Sequence, residues 1–84
     1  MEKQIVVKST KGLHASLASK VVSAASKYSV AINLHYKNKT IDVKSILGLM
    51  SLAIPSGENV VIEASGDQAE AAINEIAKLL EKYE

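Results

Sequence analysis

The sequence lacks cysteine and holds only two histidines, which stand far apart at positions 14 and 35. The absence of cysteine excludes disulfides, thiolate metal sites and cysteine nucleophiles. Two isolated histidines do not form the ligand cluster that a structural or catalytic metal needs. We therefore expect no metal and no cofactor.

The sequence also lacks a basic run and a long hydrophobic run. The net charge is +1, which argues against nucleic acid as a direct partner. The N-terminus, Met1–Gln4, leads into a short apolar stretch and then into charge, which fits neither a signal peptide nor a membrane span. We expect a cytoplasmic protein that does not insert into membranes.

The length of 84 residues predicts one domain, residues 1–84, with little room for a deep substrate cavity. The sequence has no glycine-rich nucleotide loop and no paired acid and base. It is therefore not expected to be an enzyme that works alone.

Periodicity predicts the element order β-α-β-β-α-β-α. We predict strands at 3–8, 30–36, 40–43 and 59–64, and helices at about 15–28, from Ser45, and after a cap at Asp67. The strands alternate between apolar and polar residues, which indicates an antiparallel sheet with one face covered by the helices. Asn38 is predicted to take a left-handed angle in the tight turn 37–39. The inner faces are predicted to include Ala15, Ala18, Val22 and Ala25 in the first helix and Tyr83 in the last.

The most informative stretch is Lys44–Leu52, with the sequence KSILGLMSL. Ser45 is a favourable N-cap for a short helix. Leu49 and Leu52 can face inward, which leaves Ile46, Leu47 and Met50 near the surface. Such a patch indicates either a docking surface beside a modifiable serine or simply a buried connector.

His14 follows Gly12-Leu13 and immediately precedes the first helix. Histidine is a poor N-cap, yet its ring nitrogen can act as a nucleophile near neutral pH. A phosphoryl group there would face the open N–H groups of a helix. The alternative is that His14 is an ordinary exposed loop histidine without a chemical role. His35, on the solvent-exposed face of a predicted strand, is likewise interpreted as having no chemical role.

Together these residues resemble the HPr family, the histidine-containing phosphocarrier of the bacterial sugar phosphotransferase system. The resemblance covers the chain and rests on Gly12–Ala15, Ala25–Tyr28 and above all Lys44–Leu52. It implies an α+β open-faced sandwich, with a four-stranded antiparallel sheet of order 1-4-2-3 and three helices on one face.

The resemblance also implies roles for individual residues. His14 would accept a phosphoryl group from enzyme I and pass it to enzyme IIA. Ser45 would be phosphorylated by the HPr kinase/phosphorylase, and the product would act with catabolite control protein A in carbon catabolite repression. The phosphate-binding and partner-binding residues would be Lys11, Ala15, Ser16, Lys20, Lys27, Ile46, Leu47 and Met50.

Two positions depart from the family pattern. The family has arginine and proline after Gly-Leu-His-Ala, whereas this chain has Ser16 and Leu17. The histidine favours a phosphocarrier, and the loss of the arginine favours a regulatory module like Crh that acts through Ser45. We expect a monomer with a first strand that could exchange between chains, and we expect the fold to tolerate the substitutions Ser16→Arg and Leu17→Pro.

Overall fold

The structure, a computed structural model, describes residues 1–82 and confirms the predicted order of elements. The strands are β1 (Glu2–Val6), β2 (Ile32–Tyr36), β3 (Lys39–Asp42) and β4 (Asn59–Ala64). The helices are α1 (Ala15–Ala25), α2 (Ile46–Ser51) and α3 (Ala69–Lys82). The predicted inner residue Tyr83 lies outside the described residues.

The four strands form one antiparallel sheet in the order β1-β4-β2-β3. In β4, Val60, Ile62 and Ala64 are buried while their neighbours are more exposed, as the alternation predicted. The three helices cover this apolar face, and the opposite face is open. The α+β open-faced sandwich with strand order 1-4-2-3 is therefore confirmed.

The inner face of α1 differs from the prediction. Its buried residues are Leu17, Ala18, Val21, Ala24 and Ala25, while Ala15 is exposed and Val22 is half-buried. The spacing of these five residues still follows one side of a helix. Because a leucine removes more apolar surface from water than an alanine, the helix is oriented to bury Leu17.

Helix α1 also ends three residues earlier than predicted. The N–H groups of Lys27 and Tyr28 donate to the carbonyls of Ala24 and Ala25, three residues back. This tightening is common at helix C-termini. It turns Lys27 and Tyr28 away from the α1 axis.

Two smaller predictions are corrected as well. In the β2–β3 turn it is Lys37, with φ 55°, that takes the left-handed angle, not Asn38. Helix α3 begins at Ala69, and its first backbone bond runs from Ala72 N–H to the carbonyl of Gln68. The first turn therefore starts after Asp67, one position later than the predicted cap. Within residues 1–82, every helix is too short or too polar to cross a bilayer.

Gly12 lies where the loop between β1 and α1 contacts the segment before β4. Its φ is +68°, and a Cβ at this position would collide with the carbonyl oxygen of Ile54 and lie 2.9 Å from Pro55 Cα. The same carbonyl accepts a 2.9 Å hydrogen bond from Leu13 N–H. Only glycine allows this approach, because any other residue would place a Cβ against the backbone of Ile54 and Pro55.

We expect Gly12→Ala to destabilise the fold more than Gly57→Ala. Gly57 also has a positive φ, +89°, but nothing lies within 4 Å of the position that a Cβ would occupy there. Gly57→Ala should therefore cost only the backbone term, about 1–2 kcal/mol, and Gly12→Ala about 1–3 kcal/mol more for the collision. Urea unfolding of both variants measures the difference, and equal losses would contradict the close approach.

Candidate functional site

His14 is the N-cap of α1. Its backbone is extended, with φ −84° and ψ 175°, and its carbonyl accepts the first helical bond from Ala18 N–H at 2.8 Å. Its side chain makes no capping hydrogen bond. The N–H groups of Ala15, Ser16 and Leu17 therefore have no partner within the helix, which leaves donors open to an anion at this end.

The two ring nitrogens of His14 have different environments. The residue as a whole is half-buried, and Nε2 is buried without a hydrogen-bond partner among the described residues. The ring is therefore held with Nε2 enclosed by the protein and without a hydrogen bond to residues 1–82.

The residues around His14 separate into two groups. Ala15, Ser16 and Lys11 are exposed, and the backbone N–H of Lys11 donates to the Oγ of buried Ser9 at 3.3 Å. Leu17 is fully buried in the core and is not part of the surface. Ser16 and Lys11 are therefore exposed polar residues that lie within three positions of His14 in the chain.

Ser45 is confirmed as the N-cap of α2. Its Oγ accepts from Gly48 N–H at 3.1 Å, and its carbonyl accepts from Leu49 N–H at 3.0 Å. The residue is exposed despite these bonds. The hydroxyl is accessible to a modifying enzyme, and it lies at the helix end where added negative charge is favourable.

The apolar patch, defined as Ile46, Leu47 and Met50, faces outward as predicted. These side chains are 39%, 80% and 41% exposed, whereas Leu49 of the same helix is fully buried. Leu52 is also buried. The interpretation of α2 as a buried connector is therefore wrong, because only one side of the helix enters the core.

Lys20 and Lys27 have different surroundings. Lys20 is an exposed residue of α1. Lys27, just past the end of α1, forms a 2.6 Å ion pair with Glu75 of α3. A partner that binds Lys27 would have to compete with this ion pair.

Glu75 also accepts a 2.5 Å hydrogen bond from the Tyr28 hydroxyl. The bonds from Lys27 and then Tyr28 lower the pKa of the Glu75 carboxyl, and the bond to Glu75 raises the pKa of Lys27 and of Tyr28. The sequence reasoning missed this cluster, since its members are far apart in the chain and no local motif connects them.

Lys44 connects the start of α2 with the turn after α1. Its Nζ donates a 2.7 Å hydrogen bond to the carbonyl of Tyr28, near the C-terminal end of α1. The negative end of a helix is a favourable place for a cation. The residue before Ser45 is thus anchored to the helix that His14 begins, and α1 and α2 pack against each other.

His35 lies apart from both sites, on the open face of the sheet. Its Nδ1 is 2.8 Å from Thr40 Oγ1 and its Nε2 is 2.6 Å from Glu63 Oε1. Both ring nitrogens are therefore occupied by neighbouring strands. These two bonds give His35 a structural role that was not predicted from the sequence.

Comparison with known proteins places these features in a family. The family model described as "PTS HPr component phosphorylation site" matches residues 1–82. Among solved structures, the chain is similar to HPr-C-His from Thermoanaerobacter tengcongensis, with 40% identity, coverage of 95% of this chain and 90% of the other, and a TM-score of 0.90. It is also similar to the phosphocarrier protein HPr of Bacillus anthracis, with 33% identity, 96% coverage of both chains and a TM-score of 0.92.

A third similar structure is Crh, a catabolite-repression protein of Bacillus subtilis described as a dimer with a swapping domain. The two sequences are 31% identical, the match covers 93% of this chain and 90% of the Crh chain, and the TM-score is 0.76. The chain is thus similar both to carriers and to a regulatory relative.

The Lys27–Tyr28–Glu75 cluster predicts a stability difference that depends on pH. We expect Glu75→Gln to be less stable than the wild type near neutral pH, because the amide loses the ion pair. The folded pKa of Glu75 is lowered from 4.5, so its contribution is present above that value and is lost as pH falls through the lowered pKa. Tyr28 and Lys27 have raised pKa values, so their contributions are lost only as pH rises through those values in strongly alkaline solution.

The measurement is urea unfolding of the wild type and Glu75→Gln at several pH values. Glu81→Gln removes the same charge from the same helix and serves as the control. A stability difference that stays constant as the solution is acidified well below the ordinary pKa of a glutamate would contradict the role of the cluster.

Proposed function

The chain belongs to the HPr family, and we propose that it is a phosphocarrier that takes a phosphoryl group from enzyme I onto His14 and passes it to an enzyme IIA. The observation that carries this proposal is the uncapped N-terminus of α1 behind the His14 ring. A phosphoryl group on the ring would meet N–H donors that have no partner within the helix.

We assign the nucleophile to Nδ1 because Nε2 is buried. The Nδ1 lone pair forms a bond to phosphorus as the bond between phosphorus and the phosphorylated enzyme I breaks. In transfer to enzyme IIA, the bond between Nδ1 and phosphorus breaks as phosphorus bonds to the acceptor group of enzyme IIA. Phosphoryl transfer depends mainly on positioning and on stabilising charge at the transferring oxygens, and here the helix N–H groups supply that stabilisation.

The side chains around the site supply less positive charge than the family pattern does. Ser16 offers a hydroxyl where the family has an arginine, and a neutral donor forms a weaker bond to phosphate than a guanidinium. Lys11, in the preceding loop, is proposed as the cation that partly replaces it. Ala15, which is exposed in the first turn of α1, is proposed to contact partner proteins.

We propose that Ser45 is phosphorylated by the HPr kinase/phosphorylase and regulates which partner binds. The added charge of about −2 lies beside the apolar patch and near Lys44. It should repel an acidic enzyme I surface and favour a basic partner such as catabolite control protein A. Ile46, Leu47 and Met50 are proposed to be the docking surface, with Lys20 and Lys27 at its α1 side.

The alternative is a regulatory module similar to Crh, in which Ser45 and the apolar patch act and His14 transfers slowly. The observation that favours it is Ser16, which leaves the His14 site without its arginine. In either case we propose that the protein is a single domain in the cytoplasm. We also propose a monomer, because β1 pairs with β4 of the same chain from Glu2–Glu63 to Val6–Asn59.

We expect enzyme I and phosphoenolpyruvate to label His14 with an acid-labile phosphoryl group attached to Nδ1. Phosphorus NMR distinguishes phosphate on Nδ1 from phosphate on Nε2. His14→Ala should lose the label, and His35→Ala, the matched control, should keep it. Full labelling of His14→Ala would remove the assignment, and a label on Nε2 would contradict the inference from burial.

We expect Ser16→Arg to speed phosphorylation of His14 about fivefold, since a charged donor at an exposed site gains about 1 kcal/mol over a hydroxyl. Ser19→Arg adds the same charge one turn further along α1 and is the control. The measurement is the initial rate with enzyme I at low salt. Equal rates for the two variants would show that local positive charge does not limit transfer.

The companion change Leu17→Pro is not useful in this test. Leu17 is fully buried, and losing a core leucine typically costs about 2–5 kcal/mol. We therefore expect Leu17→Pro to lower the free energy of unfolding even though proline suits the first turn of a helix, because proline is smaller than the buried leucine.

We expect Ser45→Asp to weaken binding of enzyme I roughly twofold to tenfold at low salt, through repulsion between like charges. Ser51→Asp places the same charge at the other end of α2 and should weaken binding less. Titration calorimetry gives both affinities. Equal affinity of the wild type and Ser45→Asp would count against regulation through charge.

A further inference from the structure

A cleft separate from both phosphorylation sites opens between the β2–β3 hairpin and the segment after α2. Its volume is about 400 Å³. One wall is the turn Lys37–Asn38 with its flanking residues Tyr36 and Lys39, and the other is formed by Leu52, Ala53 and Pro55. We call it the hairpin cleft. The volume is at the small end of the range for ligand pockets.

Both walls contain a residue in an unfavourable backbone conformation. Lys37 has φ 55° and Ala53 has φ 49°, and within residues 1–82 these are the non-glycine residues with positive φ. Glycine or asparagine is the usual residue at each place, in a two-residue hairpin turn and after a helix C-cap. Such residues concentrate at ligand sites, where the side chain or the backbone shape has a use.

The cleft is positively charged. Lys37, Asn38 and Lys39 line it, and none of the described residues that line it carries a carboxylate. The lining residue Tyr36 donates its hydroxyl to Glu58 Oε1 at 2.9 Å, so this nearby carboxylate already has a hydrogen-bond donor. Lys37 Nζ lies 5.3 Å from the centre of the Tyr36 ring, a favourable distance for a cation–π contact.

The opposite wall is less polar. Leu52 and Pro55 contribute apolar surface, and Ala53 contributes its backbone and a methyl group. A ligand that complements both walls has a compact anionic group for the lysines and a short carbon body for the apolar side. Lysine ammonium groups are common phosphate ligands in proteins.

From this combination we propose that the hairpin cleft binds a small organic phosphate, a phosphomonoester dianion with a body of a few carbon atoms. The phosphate contacts Lys37, Asn38 and Lys39, and the body lies against Leu52 and Pro55. The site is independent of His14 and Ser45 phosphorylation and does not rest on the proposed carrier function.

The cleft is connected to the His14 loop through its second wall. Ile54, between the lining residues Ala53 and Pro55, accepts the hydrogen bond from Leu13 N–H, and Gly12 packs on the same backbone. A ligand in the cleft should therefore also perturb the amide of Leu13, although Leu13 does not line the cleft. This gives the experiment a second, remote readout.

The test is a titration of the ¹⁵N-labelled chain with glycerol 3-phosphate, followed by two-dimensional NMR at low and constant ionic strength. We expect saturable shifts concentrated at Lys37, Asn38, Ala53 and Leu13, and none with glycerol. Lys37→Gln with Lys39→Gln should weaken binding roughly fivefold, as expected for two exposed charge contacts. Lys78→Gln with Lys82→Gln removes the same charge from α3 and should leave the affinity unchanged.

Several results would overturn the proposal. Shifts that rise linearly and spread over all the lysines would indicate only ionic screening, as would equal weakening in the two double variants. Equal affinity for inorganic phosphate would remove the role of the carbon body, and equal affinity for succinate would remove the preference for phosphate. Unchanged cross-peaks elsewhere in the hairpin variant show that its fold is retained.

Discussion

The contact of Gly12 with the backbone of Ile54 and Pro55 is the constraint on which the functional surface depends. It brings the loop after β1 against the segment before β4, and the Leu13–Ile54 hydrogen bond holds it there. Because His14 follows Leu13, this contact places the backbone of His14 at the start of α1. The same backbone segment forms a wall of the hairpin cleft, so one glycine connects two surfaces.

The His14 and Ser45 sites both lie at helix N-termini, but they use these helix ends in opposite ways. Ser45 satisfies the start of α2 with its own hydroxyl, through the bond from Gly48 N–H. His14 leaves the start of α1 unsatisfied, which costs a capping bond and keeps donors available for an incoming anion. The first arrangement is complete in the unmodified chain. The second leaves open donors, and the phosphoryl group that we propose for His14 would bind to them.

Long-range polar bonds connect the helices to one another on the covered side of the sheet. The Glu75 carboxylate of α3 accepts hydrogen bonds from Lys27 Nζ and from the Tyr28 hydroxyl, and Lys44 Nζ donates to the carbonyl of Tyr28. The turn after α1 is therefore bonded to α3 and to the residue before Ser45. These bonds are partly exposed and individually weak. Together they connect the turn after α1 with α3 and with the start of α2, where the apolar patch lies.

The sequence by itself determined the elements and the local chemistry. Alternation in 59–64, the serine before α2 and the apolar run 46–52 were sufficient, because strand periodicity, capping and amphipathicity depend on neighbouring residues. The family resemblance added the strand order and the candidate roles of His14 and Ser45. Only the tertiary structure decided which α1 residues enter the core, since Leu17 and Ala15 differ by less than a turn. Only it also decided that Lys27 pairs with Glu75, that Nε2 of His14 is enclosed, and that Lys37 and Ala53 face one cleft. These facts depend on contacts between residues that are distant in the chain, and no local pattern encodes such contacts.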